Sequence, residues 1–245
     1  MIAICLTLLA SGVFLAFDAR SAAATLFLAA VVMFSVARGF RPKFTHLATF
    51  AILSAGIGYG VYSCYVYLVI NADFGGLQAQ QVAAANNPYN PFELLTLGRS
   101  DVAVGLAASF ERPFLGYGSW AEDQTGEYKA MQSAITERFG YSGDGRNYIP
   151  AHSVLFGAWL WAGILGLVGM ALVGLTMMRL FIRSLGVGSP FVPALCIYFL
   201  DAVWAFFFSP LAHIRNSFPF VIALLLLGAA LNNRQKVFGK TGHYT

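Results

Sequence analysis

Six basic residues lie near the ends of long apolar segments, where ionisable side chains are few and are costly to place. They are Arg20, Arg99, Arg112, His152, His213 and Arg215. A guanidinium group binds phosphate oxygens through two parallel hydrogen bonds, so four arginines indicate an anionic ligand such as a phosphate or a diphosphate. The alternative for each arginine alone is that its side chain extends to the lipid headgroups.

His152 stands where a polar segment enters an apolar one. Because imidazole titrates near neutral pH, this residue is a candidate general base, and the alternative is an ordinary histidine at a membrane interface. His213 and Arg215 follow Ser209-Pro210 in a short segment, which is typical of a simple turn.

Several function classes lack their motifs in this chain. There is no GxSxG, no HExxH and no P-loop, and no cluster at metal-ligand spacing, so we expect neither a nucleotide nor a metal cofactor. Cys5, Cys64 and Cys196 each fall inside an apolar segment and indicate small buried side chains. A carboxylate pair for glycoside hydrolysis stays open, although no pair stands out. The basic residues lie between apolar segments. This position indicates that they determine membrane topology rather than bind nucleic acid.

The elements that carry these residues are predicted to be membrane helices. Of the 245 residues, 58% are hydrophobic and 11% are charged, more apolar surface than one soluble core of this size can hide. Apolar segments of about twenty residues match the thickness of a bilayer. We therefore predict an all-α polytopic membrane protein with about six transmembrane helices. Their approximate ranges are 2–17, 21–37, 47–70, 153–178, 190–209 and 217–231.

The loop charges orient this predicted bundle. If the N-terminus is cytoplasmic, the inner segments contain eight basic residues and no acidic ones. These are Arg38, Arg41, Lys43, Arg179, Arg183, Arg234, Lys236 and Lys240. The outer stretch 71–152 has nine carboxylates against five basic residues. This distribution follows the rule that positive charge stays inside, so both termini are predicted to be cytoplasmic and all six candidate residues to share the outer face.

The stretch 71–152 is too long for a simple connection and indicates a functional element. It divides the chain into three predicted spans (1–70), a large outer loop (71–152), and three further spans with a tail (153–245). Within the loop we predict a helix from Phe92 to Phe110 at the outer interface, a tight turn over 112–118, and a polar helix from Glu122 to Phe139.

The order and spacing of several short motifs resemble the O-antigen ligase and polymerase family. They are Arg20-Ser21, Gly98-Arg99, the turn Arg112-Pro113-Phe114-Leu115-Gly116-Tyr117-Gly118, Ala151-His152-Ser153 and Gly163-Ile164-Leu165-Gly166. The chain resembles the C-terminal half of a usual member, and its start fits a truncation. Two positions differ: the family usually has His-Asn where this chain has His152-Ser153, and commonly an aromatic residue at the position of Val104.

The resemblance implies a glycosyltransferase of the bacterial inner membrane that acts on the periplasmic face. Such an enzyme moves a glycan from a polyprenyl-diphosphate carrier to an acceptor sugar or lipid-linked glycan, without metal or nucleotide. Carried over by position, Arg20 and Arg99 would bind the diphosphate, Arg112 would be a further phosphate or loop contact, and His152 would activate the acceptor hydroxyl.

Two other functions stay open. The chain could be a transporter or an anion-handling membrane protein whose arginines line a permeation route, although related halves typical of transporters are not visible. It could also be a half-length member of the family that is inactive alone.

Overall fold

We analysed a computed structural model of the chain. Apart from a few single or paired residues, it describes residues 1–16, 19–39, 62–72, 85–90, 100–137, 147–185, 191–209 and 217–241.

The described part of the chain is helical. Seven helices are α1 (Ile2–Ala16), α2 (Arg20–Ala37), α3 (Ser100–Glu111), α4 (Glu127–Thr136), α5 (Val154–Ser184), α6 (Val192–Phe208) and α7 (Ser217–Thr241). Residues 62–72 are helical as well. The described ranges contain no β-strand, only a single antiparallel bridge between Glu122 and Tyr148. The predicted all-α class is therefore confirmed for the residues described.

One described helix, α5, is long and apolar enough to cross a membrane by length and composition. Four shorter apolar helices occupy Ile2–Leu15, Ser21–Ala37, Val192–Phe208 and Ser217–Asn233. A single helix of this kind is weak evidence for a membrane protein, because the core helix of a soluble protein can satisfy the same criteria.

Most predicted spans coincide with helices. The ranges 2–17, 21–37 and 190–209 match α1, α2 and α6 to within two residues, whereas α7 continues to Thr241, beyond the predicted end at 231. Much of the predicted span 47–70 lies outside the described residues. The helix predicted over 153–178 is α5, but Ala162 and Gly163 have non-helical backbone angles, so it consists of two helical pieces. The sequence prediction missed this break.

The chain divides into two compact units: residues 1–42 with 170–245, and residues 43–169. In the first unit α1 packs on α2, α2 on α6, and α6 on α7. Its core is apolar, and the rings of Phe181 and Phe199 stack with centroids 4.0 Å apart. Two serines join helices by donating hydrogen bonds to main-chain carbonyls, from Ser11 to Ala23 and from Ser184 to Leu225, each at 2.8 Å.

Large apolar side chains are also exposed on the outside of these helices. Examples on α1, α2 and α7 are Leu6, Leu9, Phe27, Phe220 and Leu226, each about half exposed or more. A helix that is apolar on all sides is typical of a membrane span or of the core of a large protein. This exposure therefore indicates that another apolar medium or protein covers these helices.

The second unit contains α3, α4, the turn between them, and the first part of α5. Its core includes Val104 of α3, Tyr128 of α4 and Leu160 of α5. Helix α3 lies close to the main chain before α5, because a Cβ atom on Gly105 would come 2.5 Å from the carbonyl oxygen of Pro150. Only glycine permits this approach.

The polar helix α4 begins at Glu127, five residues later than the sequence predicted. Residues 121–123 pair instead with the segment that leads to α5, and residues 124–126 form bends. The Asp123 N–H donates to Asn147 O at 2.8 Å, and the Ile149 N–H donates to Ala121 O at 2.9 Å. The buried Asp123 carboxylate also accepts from the Lys129 N–H at 2.8 Å, in the first turn of α4. These contacts keep residues 121–123 out of the helix.

Candidate functional site

His152 lies directly before α5 and contacts a carboxylate on α3. Its Nδ1 atom is 2.6 Å from Oδ2 of Asp101, an ion-pair distance that lacks the alignment of a good hydrogen bond. The Nδ1 atom is closed off from solvent, whereas the imidazole side chain as a whole is 45% exposed. One edge of the imidazole therefore contacts a carboxylate, and the rest of the side chain is accessible to solvent.

Asp101 is itself held in place from α4. Its Oδ1 atom accepts a hydrogen bond from Nε2 of Gln132, and its side chain is 22% exposed. On the other side of His152, Ser153 caps α5, because its hydroxyl accepts from the Phe156 N–H at 3.2 Å. Helix α3 thus contacts His152 directly through Asp101, and α4 acts on it through Gln132.

A carboxylate beside Nδ1 has a defined chemical effect. It favours the imidazole tautomer that carries its proton on Nδ1, which leaves Nε2 as the basic atom. The arrangement is that of a general base with an orienting carboxylate, and the imidazole is exposed enough to reach a substrate hydroxyl.

The turn over residues 112–118 docks into the break in α5. Gly163 has a φ of 62°, so the helical hydrogen bonds are interrupted there. The Tyr117 N–H donates to Leu160 O at 2.7 Å, and the Gly118 N–H donates to Trp161 O at 3.0 Å. The turn thereby satisfies carbonyl groups in the broken part of the helix, which fixes α5 relative to the end of α3.

Side-chain and glycine contacts complete this docking. The Trp159 Nε1–H donates to Pro113 O at 3.0 Å, and the Trp159 ring meets Phe110 edge to face at 4.9 Å. Gly116 has a φ of 68°, and a Cβ atom there would lie 2.6 Å from Leu160 O. The predicted tight turn is confirmed, and its glycines allow main chain to meet main chain.

Arg112 is part of a polar cluster at the base of this turn. Its guanidinium carbon lies 4.6 Å from the centroid of the Tyr117 ring, a cation–π contact. The hydroxyls of Tyr117 and Tyr128 are 2.7 Å apart, and Tyr128 donates to Oε2 of Glu111 at 2.5 Å. Burial, then the hydrogen bonds to Glu111 and Tyr117, raise the pKa of Tyr128 well above its ordinary value. Tyr128 is thus a fixed donor rather than a proton carrier.

No family model matches the chain, and searches of curated proteins and of solved structures find no significant match.

The structure describes two of the four predicted site residues in full. His152 and Arg112 both belong to the second unit. Arg20 is the first residue of α2 in the first unit, and its side chain lies outside the described part. Arg99, which immediately precedes α3, lies outside the described residues, as do His213 and Arg215. Convergence of the arginines with His152 therefore stays a prediction.

Two site residues were missed from the sequence: Asp101 and Gln132. Asp101 is one of nine carboxylates in the outer stretch, and no motif separates it from the others. The one available signal was its place on a predicted helix two positions after Arg99. The sequence analysis also did not identify Asp201, an exposed acidic residue within the apolar helix α6, as a candidate.

The described side chains do not form an evident metal centre. Within the described ranges, no group of three or more His, Cys, Asp or Glu side chains could hold an ion. Among the described contacts, His152 pairs with Asp101, and Asp101 accepts from the Gln132 amide.

Proposed function

We propose that the chain is a membrane glycosyltransferase of the O-antigen ligase or surface-polysaccharide polymerase type. The observation that carries this proposal is the Asp101–His152 pair at the start of the long apolar helix α5. His152 is the base that the family resemblance implies, and its contact with Asp101 is independent of the motifs that carry that resemblance.

In the proposed reaction, Nε2 of His152 removes the proton from an acceptor hydroxyl. The hydroxyl oxygen attacks the anomeric carbon of the donor glycan, and the bond from that carbon to the carrier diphosphate breaks. Arg20 and Arg99 bind the diphosphate and neutralise the charge that develops on it, so no separate acid is needed. Arg112 is a weaker candidate for a further phosphate contact, because its guanidinium already lies over Tyr117.

The proposed topology has six spans, with both termini in the cytoplasm and residues 71–152 on the periplasmic face of a bacterial inner membrane. The exposed apolar side chains of α1, α2 and α7 and the basic inner segments support it. An impermeant thiol reagent added to intact spheroplasts should label a cysteine at Gln124 and leave one at Lys236 unlabelled. The reverse labelling would contradict this orientation.

The test of the reaction is glycan transfer in reconstituted membranes. The full chain receives a polyprenyl-diphosphate-linked oligosaccharide and either a lipid-linked core sugar or a second carrier-linked glycan as acceptor. Transfer by the parent and its loss in His152→Ala, Arg20→Ala and Arg99→Ala, with unchanged amounts in the membrane, would support the proposal. His46→Ala is the matched control, because the topology places His46 at the cytoplasmic face. Retained transfer in all three site variants would refute the assignment.

One observation favours a second candidate, an anion transporter. Broken helices are common at the binding sites of transporters, and α5 is broken at Ala162 and Gly163. The break is filled by the turn 112–118, which favours a structural role. Anion uptake by donor-free vesicles that contain the chain would support transport. Uptake without any glycan transfer would replace the proposed transferase.

A further inference from the structure

The turn Arg112–Gly118 presents large apolar side chains that the described residues of the second unit leave exposed. Phe114 is 74% exposed and Leu115 is 87% exposed. No charged residue occurs from Pro113 to Ala121. A solvated turn is usually polar, so exposure of this kind marks an interaction surface.

The position of the turn along α5 indicates what meets this surface. A Cβ atom on Gly163 would lie 2.0 Å from Phe114 O, so the tip of the turn is beside the break. At 1.5 Å of rise per residue, the break lies roughly 12 Å along the helix from His152. Beyond it, Leu165 is 80% exposed and Val168 is 49% exposed. The apolar tip therefore continues the apolar surface of the helix that has the length and composition of a membrane span.

Main-chain groups on both sides of the apolar tip are hydrogen-bonded within the protein. Irregular backbone is tolerated at membrane depth where its polar groups find partners in the protein. Leu160 O and Trp161 O accept from Tyr117 and Gly118, and Pro113 O accepts from Trp159 Nε1. Within the turn, the Gly116 N–H donates to Arg112 O at 3.0 Å. These bonds satisfy polar groups on either side of Phe114 and Leu115.

We propose that the turn Arg112–Gly118 is inserted in the bilayer, with Phe114 and Leu115 among the acyl chains of phospholipids in the leaflet next to His152. This inference rests on the proposed topology, in which α5 spans the membrane. The inserted turn anchors the end of α3, and with it the Asp101 carboxylate, at a fixed depth. Its partner is bilayer hydrocarbon rather than a second protein.

Spin-label accessibility tests the insertion. A nitroxide is attached to Leu115→Cys in a background where Cys5, Cys64 and Cys196 are replaced by alanine, and the full chain is placed in phospholipid vesicles without any donor glycan. Collision with oxygen, which concentrates in hydrocarbon, is compared with collision with a water-soluble nickel chelate. Val168→Cys on α5 is the hydrocarbon reference, and Gln124→Cys, an exposed polar site before α4, is the aqueous reference.

The expected result is that oxygen accessibility exceeds nickel accessibility at Leu115 and Val168, and that the order is reversed at Gln124. Nickel accessibility at Leu115 with an oxygen-accessible Val168 would overturn the insertion and leave the topology intact. A nickel-accessible Val168 would refute the membrane span itself. Low accessibility to both reagents at Leu115 would mean that protein covers the tip, and spin–spin broadening would identify a second copy; either finding overturns the proposal.

Discussion

Close glycine contacts in the two compact units involve different kinds of atom. In the second unit, added Cβ atoms would lie 2.0 Å from the main-chain oxygen of Phe114 at Gly163 and 2.5 Å from that of Pro150 at Gly105. In the first unit, an added Cβ at Gly174 would lie 3.2 Å from the side-chain ring of Phe206. The ring can rotate away, whereas a docked backbone cannot. Gly163 and Gly105 are therefore required more strictly than Gly174, and they belong to the unit that holds His152.

The same difference appears in the hydrogen bonds. In the first unit, serine hydroxyls bond to carbonyls of neighbouring helices, and most of the remaining packing is apolar. In the second unit, the turn, the broken helix and the segment before α5 are joined through main-chain N–H groups. Packing by apolar side chains tolerates substitutions of similar volume. Docking of main chain on main chain requires a particular residue, such as glycine, at each point of contact. The predictions below test this contrast.

Gly163→Ala should have the largest effect. Alanine adds an overlap with Phe114 O and is strained at a φ of 62°, so the turn must leave the break and lose two hydrogen bonds. The expected loss in the free energy of unfolding is about 3 kcal/mol, measured by denaturant titration in detergent micelles. Glycan transfer should also be lost. Gly169→Ala is the control on the same helix, since its added Cβ meets no atom within 4 Å. Equal stabilities of the two variants would contradict the docking.

Asp101→Asn should affect catalysis more than stability. The amide keeps the shape of the carboxylate but removes the charge that orients and stabilises the His152 ring. Transfer should fall by about 10²-fold in kcat, with a smaller change in KM, by analogy with the loss of other groups that orient a reacting side chain. The control is Asp201→Asn in the first unit. Asp123→Asn is unsuitable because the Asp123 carboxylate bonds to the first turn of α4, so this change would also affect folding. An unchanged kcat would remove Asp101 from the site.

The sequence identified His152 and missed its partner for a physical reason. A histidine between a polar segment and an apolar one is visible in a single sequence. The contact with Asp101 depends on how α3 packs against the segment before α5, and periodicity gives no information on that packing. The break in α5 was missed similarly: Gly163 fits an ordinary membrane helix, and its need for a positive φ arises only from the turn that docks there. Helix α4 was placed too early because its first residues pair with 147–149.

Gly105→Ala should have an intermediate effect that depends on the same packing. Its added Cβ would overlap Pro150 O, so α3 must move away from the segment that carries His152. We expect a loss of about 2 kcal/mol in the free energy of unfolding, within the range of disruptive core substitutions. Gly174→Ala in the first unit is the matched comparison and should cost less than Gly105→Ala, because its nearest contact is the Phe206 ring, 3.2 Å away. If Gly174→Ala were the more damaging, the contrast between the units would be wrong.

Tyr128→Phe should have the smallest effect and should depend on pH. At neutral pH the loss of the hydrogen bonds to Glu111 and Tyr117 should cost about 1 kcal/mol. The pKa of Tyr128 is raised in the folded state, so the neutral phenol is favoured there, and the unfolded chain gains stability by ionising first. The contribution of Tyr128 is therefore complete below about pH 10, the ordinary tyrosine pKa, and decreases as the pH rises above it.

Denaturant titrations at pH 8 and pH 11 should show that the difference in the free energy of unfolding between parent and variant is smaller at the higher pH. Tyr148→Phe, at a side chain that is 46% exposed, is the control for the loss of a tyrosine hydroxyl from the same unit. A gap that widens with pH would mean that the folded protein stabilises the ionised phenol, which would contradict the role of Tyr128 as a neutral donor.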